Sequence, residues 1–282
     1  MKQALCSISS NAEVMPGVHH MWIEAPDLAA VAQPGQFITV RCEGFTLRRP
    51  FSIHQVGSNN VIASDLPAKA WQAGAKQSQV AILFKVTGKG TLWLSQQEAG
   101  HKIDILGPLG KGFAIAPESE KLLLVAGGIG IAPLVFLMQQ ASSRHQITLI
   151  HGATTAAQLF PDAYQLPAIS RARVRFITVT EDGSAGQKGK ATDVLPDYLD
   201  WADQVYACGP VDMYKAMAQM SLRAKRSNLK LKKCQVSLEV RMGCGFGACY
   251  CCTINTGKGL QQVCRDGPVF ELDDIIWREV SL

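Results

Sequence analysis

Four cysteines in the stretch Met242–Cys264 (MGCGFGACYCCTINTGKGLQQVC) have the spacing C-x4-C-x2-C-x11-C: Cys244, Cys249, Cys252 and Cys264. The first three reproduce a run by which a single loop wraps a [2Fe–2S] cluster. Two ferric ions and two sulfides need four thiolates converging from that loop and a neighbouring strand. Gly243, Gly245 and Gly247 fall within the same stretch; without a Cβ they let the backbone curl tightly and aim N–H groups at sulfur. A structural zinc ion is the competing reading, but such sites usually draw thiolates from two short knuckles, and no second C-x2-C closes one here. Disulfides fit less well, because nine cysteines is an odd number and a reducing cytosol keeps thiols free. Cys251 is surplus to the spacing and is expected to point away as a non-ligand. Cys6, Cys42 and Cys234 read as small core residues.

Three other groups could bind phosphate or a nucleotide. Leu47–Ile53 (LRRPFSI) places Arg48 and Arg49 just before a strand that carries Pro50, Phe51 and Ser52, and Gly88-Lys89-Gly90-Thr91 offers a glycine turn ending in a hydroxyl. Arginine supplies a planar fork for phosphate oxygens, and a glycine turn supplies backbone N–H groups. Alone, each is weak: an arginine pair is usually a solvated surface feature, and such a glycine pair is more often a hairpin turn. Gly127–Pro133 (GGIGIAP) lies between a strand at Leu122–Ala126 and a helix starting at Leu134, a strand–turn–helix unit suited to phosphate. Gly128 and Gly130 belong to its turn, and Pro133 suits the first helical turn, where its missing N–H is not needed. Cys208-Gly209-Pro210 ends a later strand, and by position alone Cys208 could as well be a buried structural cysteine.

The elements that would position these groups fall into two types. Residues 1 to 106 show short strand-like runs at His20–Glu24, Gln36–Arg41, Phe51–Gln55, Val80–Val86 and Lys102–Leu106, punctuated by Pro34-Gly35 and Gly57-Ser58-Asn59-Asn60. An antiparallel barrel fits them best. From Lys121 strands at Ile147–His151, Val174–Thr180 and Gln204–Ala207 alternate with helices such as Val211–Met220. That alternation predicts a parallel, doubly wound sheet, which binds ligands at the carboxyl ends of its strands. A chain of 282 residues that is 47% hydrophobic and 18% charged can bury cores for two or three soluble domains. Six of its positive residues lie in Arg223–Lys233, read first as a solvated helix face or linker and second as a docking surface for an acidic partner. No aromatic residue interleaves with them to stack bases, which argues against nucleic acid. Leu122–Met138 is uncharged over 17 residues, but three glycines and a proline interrupt it, so a buried strand, turn and packed helix is expected and no membrane span. The N-terminus lacks the apolar stretch of an export signal, so the expected location is the cytoplasm.

The motifs and their order resemble one family, the electron-transfer subunit of the two-flavin dihydroorotate dehydrogenases within the ferredoxin–NADP reductase superfamily. The resemblance runs through PGQF at Pro34–Phe37, RRPFSI at Arg48–Ile53, GKGT at Gly88–Thr91, GPLGKGF at Gly107–Phe113, GGIGIAP at Gly127–Pro133, TEDGSAGQKG at Thr180–Gly189, CGP at Cys208–Pro210 and CRDGPVF at Cys264–Phe270. It implies a flavin-binding antiparallel β-barrel (1–106), a Rossmann-like α/β domain for NAD (107–228) and a small C-terminal [2Fe–2S] domain (229–282). It also implies that Arg49 pairs with the FAD pyrophosphate, with Pro50 and Phe51 beside it, while Ser52 approaches the flavin N5 edge. Gly88, Gly90 and Thr91 would hold the phosphates from the other side, and Gly128, Gly130, Pro133, Cys208, Gly209 and Pro210 would line the nicotinamide nucleotide. Two departures stand out. Phe51 replaces the tyrosine of many reductases, leaving only packing against the flavin. His151–Gln158, where the second α/β strand ends, holds no arginine or lysine to grip a 2′-phosphate, which favours NAD over NADP, although Arg144, Arg171 or Arg173 could reach in.

By this resemblance the chain passes electrons from an FMN-containing dihydroorotate dehydrogenase catalytic subunit through the [2Fe–2S] cluster and FAD to NAD, in a heterotetramer, and carries no catalytic acid or base of its own. Two alternatives stay open: a stand-alone flavin and iron–sulfur reductase for another acceptor, and a zinc-stabilised interaction module that is not an enzyme. The 11 residues between Cys252 and Cys264 are fewer than a full ferredoxin domain would place there, which disfavours the first.

Overall fold

The computed structural model describes residues 1–57, 78–141, 143–161, 173–226 and 233–280. Its first part is a closed antiparallel barrel of β1 (Lys2–Met15), β2 (Val18–Glu24), β3 (Phe37–Arg41), β4 (Arg49–Gly57), β5 (Gln79–Lys85) and β6 (Lys102–Leu109), in the order β1-β2-β5-β4-β3-β6. A one-turn helix α1 (Pro26–Ala29) follows β2, and α2 (Lys89–Ser95) follows β5. Inward residues alternate with outward ones, as a half-buried strand requires. In β6 every second residue from Ile103 to Leu109 is buried. Five of these strands match the sequence reading within a few residues, and β1 was not anticipated. Its sequence, KQALCSISSNAEVM, buries only Cys6 and Ile8 and keeps Leu5 exposed, so no strong alternation marks it. It is held by pairing with both β2 and β6, which closes the barrel.

The second part is a sheet in the order β10-β9-β8-β7-β11-β12-β15. Its strands are β7 (Lys121–Gly127), β8 (Gln146–Ala153), β9 (Arg173–Thr180), β10 (Gln187–Lys188), β11 (Gln204–Cys208), β12 (Lys233–Ser237) and, antiparallel at the edge, β15 (Val269–Glu271). Helices α3 (Ile131–Gln140), α4 (Ala191–Val194), α5 (Pro196–Leu199) and α6 (Val211–Arg226) connect them. A hairpin of β13 (Thr253–Thr256) and β14 (Gly259–Gln262), followed by α7 (Val263–Asp266), carries the C-terminal side of the cysteine loop. The apolar run Leu122–Met138 forms a buried strand, a 3-10 turn at Gly128–Gly130 and α3, and among the described residues no helix is long and apolar enough to cross a membrane. Helix α3 begins at Ile131, three residues earlier than expected, so Pro133 still lies in its first turn.

The expected domain limits meet this architecture unevenly. The limit at 106/107 falls within β6. The limit at 228/229 lies outside the described residues, as do Ser58, Asn59 and Asn60, Arg171 and the 227–232 part of the basic run. Segment 229–282 supplies β12 and β15 to the same sheet as β7, so its core is continuous with that of the α/β part: Val236, Phe270, Cys252 and Cys264 pack in one cluster with Leu123 and Val205. Three of the quoted motifs turn out to be a joint. The Phe113 N–H donates to Pro34 O (2.7 Å), the Lys111 N–H to Gly267 O (2.5 Å) and Gln36 Nε2 to Gly110 O (2.9 Å). Barrel, linker and C-terminal segment are thereby tied together. The barrel also grips α3. Phe136 enters the barrel core, and the Gln139 amide bonds the Val56 N–H (3.0 Å) and carbonyl (2.6 Å) like one more strand neighbour.

Candidate functional site

The cysteine loop brings its four spaced thiols together as two pairs. Cys244 and Cys249 face each other: the Ala248 and Cys249 N–H groups point at Cys244 Sγ (3.2 and 3.4 Å), and the Cys244 N–H at Cys249 Sγ (3.3 Å). Cys252 and Cys264 form the second pair, with the Cys264 N–H 3.4 Å from Cys252 Sγ. Left-handed backbone at Gly245 (φ 81°) and Gly247 (φ 93°) makes this curl possible. Burial opposes ionisation of Cys244, but the N–H groups of Phe246, Cys249 and Ala248 aimed at sulfur outweigh it and bring the thiol down to about 6. Burial, and then the Cys252 thiol, push Cys264 up to about 12.

Among the described residues no three His, Cys, Asp or Glu side chains converge as a single ion would need. A lone tetrahedral zinc needs four donors around one point, whereas two irons bridged by sulfides take two thiolates each. Paired thiols beneath inward N–H groups fit that two-plus-two demand of the cluster. Cys251 stands outside both pairs, exposed, with its Sγ 3.8 Å from Arg241 O. The loop lies against the barrel, since a Cβ on Gly245 would come within 2.9 Å of Thr39 Cγ2. Thr39 on β3 pairs with Pro50 on β4, so the loop abuts the strand pair that carries RRPFSI.

Of the two arginines before β4, Arg48 is spent on the barrel: Nη2 reaches Asp104 Oδ2 at 2.6 Å and Nη1 reaches Asp104 O at 3.1 Å. Arg49 lies over the Phe45 ring, with one bond to Leu47 O, and its Nε would be 2.9 Å from a Cβ on Gly90. Arg49 and the start of α2 thus lie side by side. The Gly88–Thr91 segment is a helix N-terminus rather than a hairpin turn, with Gly88 as its cap. The Thr91 hydroxyl accepts the Thr87 and Gly88 N–H groups (2.9 and 3.1 Å) and donates to Gly88 O (3.0 Å). What remains for a phosphate here is the first N–H groups of α2 and the Arg49 fork. Phe51 points into the barrel core against Phe84, 9% exposed, while Ser52 faces the other way, on the side of β4 from which His54 reaches α3.

At the carboxyl ends of β7 and β11 two turns meet backbone to backbone. A Cβ on Gly130 would lie 2.1 Å from Cys208 O, and one on Gly127 2.6 Å from Pro210 Cδ, so turn-on-turn packing requires both glycines. Gly128 is different: its φ is +54° and the space at its Cβ position is open for 4 Å. Gly128 is half-buried, and its peptide borders that open space. Pro133 is buried in the first turn of α3. Burial, with Glu239 next, pushes the half-buried Cys208 thiol up to about 12. Gly209 is pinned by its N–H to Tyr214 Oη (2.8 Å), which donates to Ser237 O (2.6 Å).

Sequence reasoning missed Tyr214, His54 and His151. His54 is fully buried between barrel and α3, with Nδ1 3.0 Å from Ala132 O, and burial lowers its pKa to about 3. His151 Nε2 lies 3.1 Å from Gly128 O. The signal for both was present only as a histidine in an apolar run. Arg144 is bonded to Pro117 O (2.8 Å).

Residues 239–276 match the family described as the iron-sulfur cluster binding domain of dihydroorotate dehydrogenase B, and residues 124–219 match the oxidoreductase NAD-binding domain. Over 275 residues, 94% of each chain, the sequence is 36% identical to the dihydroorotate dehydrogenase B (NAD(+)) electron transfer subunit of Desulforamulus reducens. The NADH-dependent reduced ferredoxin-NADP oxidoreductase studied for flavin-based electron bifurcation superposes with a TM-score of 0.75 at 27% identity, over 98% of this chain and 91% of its own. A ferredoxin NADP+ reductase from Neisseria gonorrhoeae, solved with bound FAD and NADP, shares the fold: TM-score 0.60 at 19% identity, over 79% of this chain and 92% of its own.

Proposed function

The chain belongs to the family of dihydroorotate dehydrogenase B (NAD(+)) electron transfer subunits, and from that premise we propose which of its residues hold each redox group and where its partner docks. It is the oxidoreductase subunit that carries electrons from dihydroorotate oxidation, performed on a catalytic partner, to NAD. When bound, the [2Fe–2S] cluster exchanges single electrons and FAD converts between single electrons and the hydride that nicotinamide takes. The observation that supports the assignment is the packing of the cysteine loop, at Gly245, against Thr39 of β3, the strand that pairs with the RRPFSI strand β4. Cys244 with Cys249 and Cys252 with Cys264 would supply the thiolates that hold the cluster, and Cys251 would supply none.

Arg49 and the first N–H groups of α2, at Gly90 and Thr91, would hold the FAD pyrophosphate, with Gly88 capping that turn. Ser52, on the α3 side of β4, is the hydroxyl offered to the flavin edge, with Pro50 and Phe51 as structural neighbours. The Gly128 peptide receives the NAD pyrophosphate; Gly130 and Pro133 fix that turn, and Cys208, Gly209 and Pro210 form the wall nearest the nicotinamide. NAD is favoured over NADP because His151–Gln158 presents no arginine or lysine to a 2′-phosphate.

The partner is an FMN-containing catalytic subunit, and two copies of each chain form a heterotetramer. The docking face is the cysteine loop: Phe246, Tyr250 and Leu260 stand 47%, 68% and 74% exposed around it, and apolar side chains of that size gain from cover. The assembly works in the cytoplasm, supported by nine cysteines of which none is in a disulfide. Replacing Phe246 with aspartate tests the face. The variant should keep the flavin and cluster absorbance but lose co-elution with the FMN subunit; unchanged co-elution would move the docking face elsewhere.

A further inference from the structure

The glycine turn after β7 has one peptide whose orientation no side chain of its own enforces. Gly128 has no side chain, its φ is +54°, and its Cβ position has no neighbour within 4 Å. A peptide so placed is free to rotate unless its carbonyl is held. Two donors hold it. The Ile131 N–H bonds Gly128 O across the 3-10 turn, and His151 Nε2 lies 3.1 Å from the same oxygen. His151 comes from the neighbouring strand β8, in register with Ala126 of β7 and Thr178 of β9, and is 2% exposed. In a trans peptide C=O and N–H point in opposite directions. A Gly128 carbonyl drawn back to His151 therefore turns the Ile129 N–H outward, toward the mouth of the turn where an anion would sit.

We propose that His151 is a positioning residue of the NAD site: its Nε2–H fixes the Gly128 carbonyl and so presents the Ile129 N–H to the nucleotide pyrophosphate. The tautomer follows from the surroundings. The nitrogen facing a carbonyl must carry the proton, and Nδ1, buried without a hydrogen-bond partner, keeps the bare lone pair, the cheaper group to leave unpaired. Burial holds the ring neutral, against the Gly128 bond, with a pKa lowered to about 4. The histidine acts through the peptide and touches neither flavin nor nicotinamide chemistry. Its removal should weaken nucleotide binding and leave the rate of hydride transfer from bound NADH unchanged. The inference rests on reading the Gly127–Pro133 turn as the NAD pyrophosphate seat.

The test uses the protein loaded with FAD and cluster, ADP-ribose binding by calorimetry, and stopped-flow flavin reduction by NADH. His151→Leu, which keeps bulk and loses the donor, should weaken ADP-ribose about tenfold, the effect of roughly one hydrogen bond. NADH affinity should fall in parallel, with the limiting reduction rate unchanged. His151→Gln restores an amide donor near the Nε2 position and should bind within about threefold of the wild type. Wild-type affinity in His151→Leu, or equal losses in both variants, would overturn the role of His151 alone. A wild-type protein that fails to bind ADP-ribose would overturn the seat, and His151 with it. If neither variant folds, 15N spectra of labelled histidine in the wild type decide: an Nε2-protonated neutral ring supports the role, and an Nδ1-protonated ring, which could not donate to Gly128, overturns it.

Discussion

Gly130→Ala should damage this protein through its fold before its nucleotide site. The added Cβ would stand 2.1 Å from Cys208 O, 2.4 Å from Cys208 C and 2.8 Å from Gly209 N. Non-bonded heavy atoms settle at about 3.5 Å, so the two turns must part by more than about 1 Å. All three obstacles are backbone, so no side-chain rotation relieves the clash. Overpacking of this kind costs about 1–3 kcal/mol. Separation also pulls Gly209 from its 2.8 Å bond to Tyr214, worth about 1 kcal/mol more. A total near 3 kcal/mol corresponds to a drop in Tm of about 6–12 °C at this size. Gly128→Ala is the matched control: it meets open space, and its left-handed φ of +54° costs about 1–2 kcal/mol. Calorimetric unfolding of both variants, loaded with FAD and cluster, gives the comparison. A Gly130→Ala protein with wild-type Tm that merely binds NADH poorly would refute the turn-on-turn reading and restore pyrophosphate approach as the reason for the glycine.

Three further outcomes follow from the same geometry. His54 and His151 are buried with pKa values lowered to about 3 and about 4, below the ordinary 6.5, so the unfolded chain binds more protons between those values. The contribution of these two histidines is therefore full above about pH 6.5 and falls as pH drops toward 4, by on the order of 2 kcal/mol between pH 6 and 5. Urea midpoints that stay flat or rise over that step would contradict it. Cys251→Ser should retain two irons and two sulfides per chain, while Cys252→Ser should lose them; the reverse pattern in iron and sulfide analysis would reassign the ligands. Arg49→Ala should weaken FAD retention with little change in the Tm of the FAD-free protein, whereas Arg48→Ala, which breaks the part-buried pair with Asp104, should lower that Tm by a few degrees, about 1 kcal/mol. Equal effects of the two on FAD would show that Arg48 also reaches the phosphate.

What could be read from the sequence was whatever depends on spacing along the chain. The C-x4-C-x2-C run, the glycine turn before α3 and the arginines before β4 are local patterns, and the structure places each at a loop, a turn and a strand start. Missed features depend on neighbours distant in sequence. Strand β1 is held by pairing on both sides although its own alternation is weak. Strands β12 and β15 join the sheet of β7 because Val236 and Phe270 share a core with Leu123, which no local pattern announces. The packing role of Gly130 was hidden because the opposing Cys208 carbonyl lies 78 residues away. His151 acquires its role only from the parallel register that sets it beside the glycine turn.

The most direct test of the account is to follow NAD reduction by dihydroorotate with this chain alone, and then with an FMN-containing catalytic subunit added. The chain alone should oxidise NADH with an artificial acceptor and leave dihydroorotate untouched; the mixture should reduce NAD with dihydroorotate. Dihydroorotate oxidation by the isolated chain, or a stable complex with both flavins and the cluster in place that reduces no NAD, would contradict it.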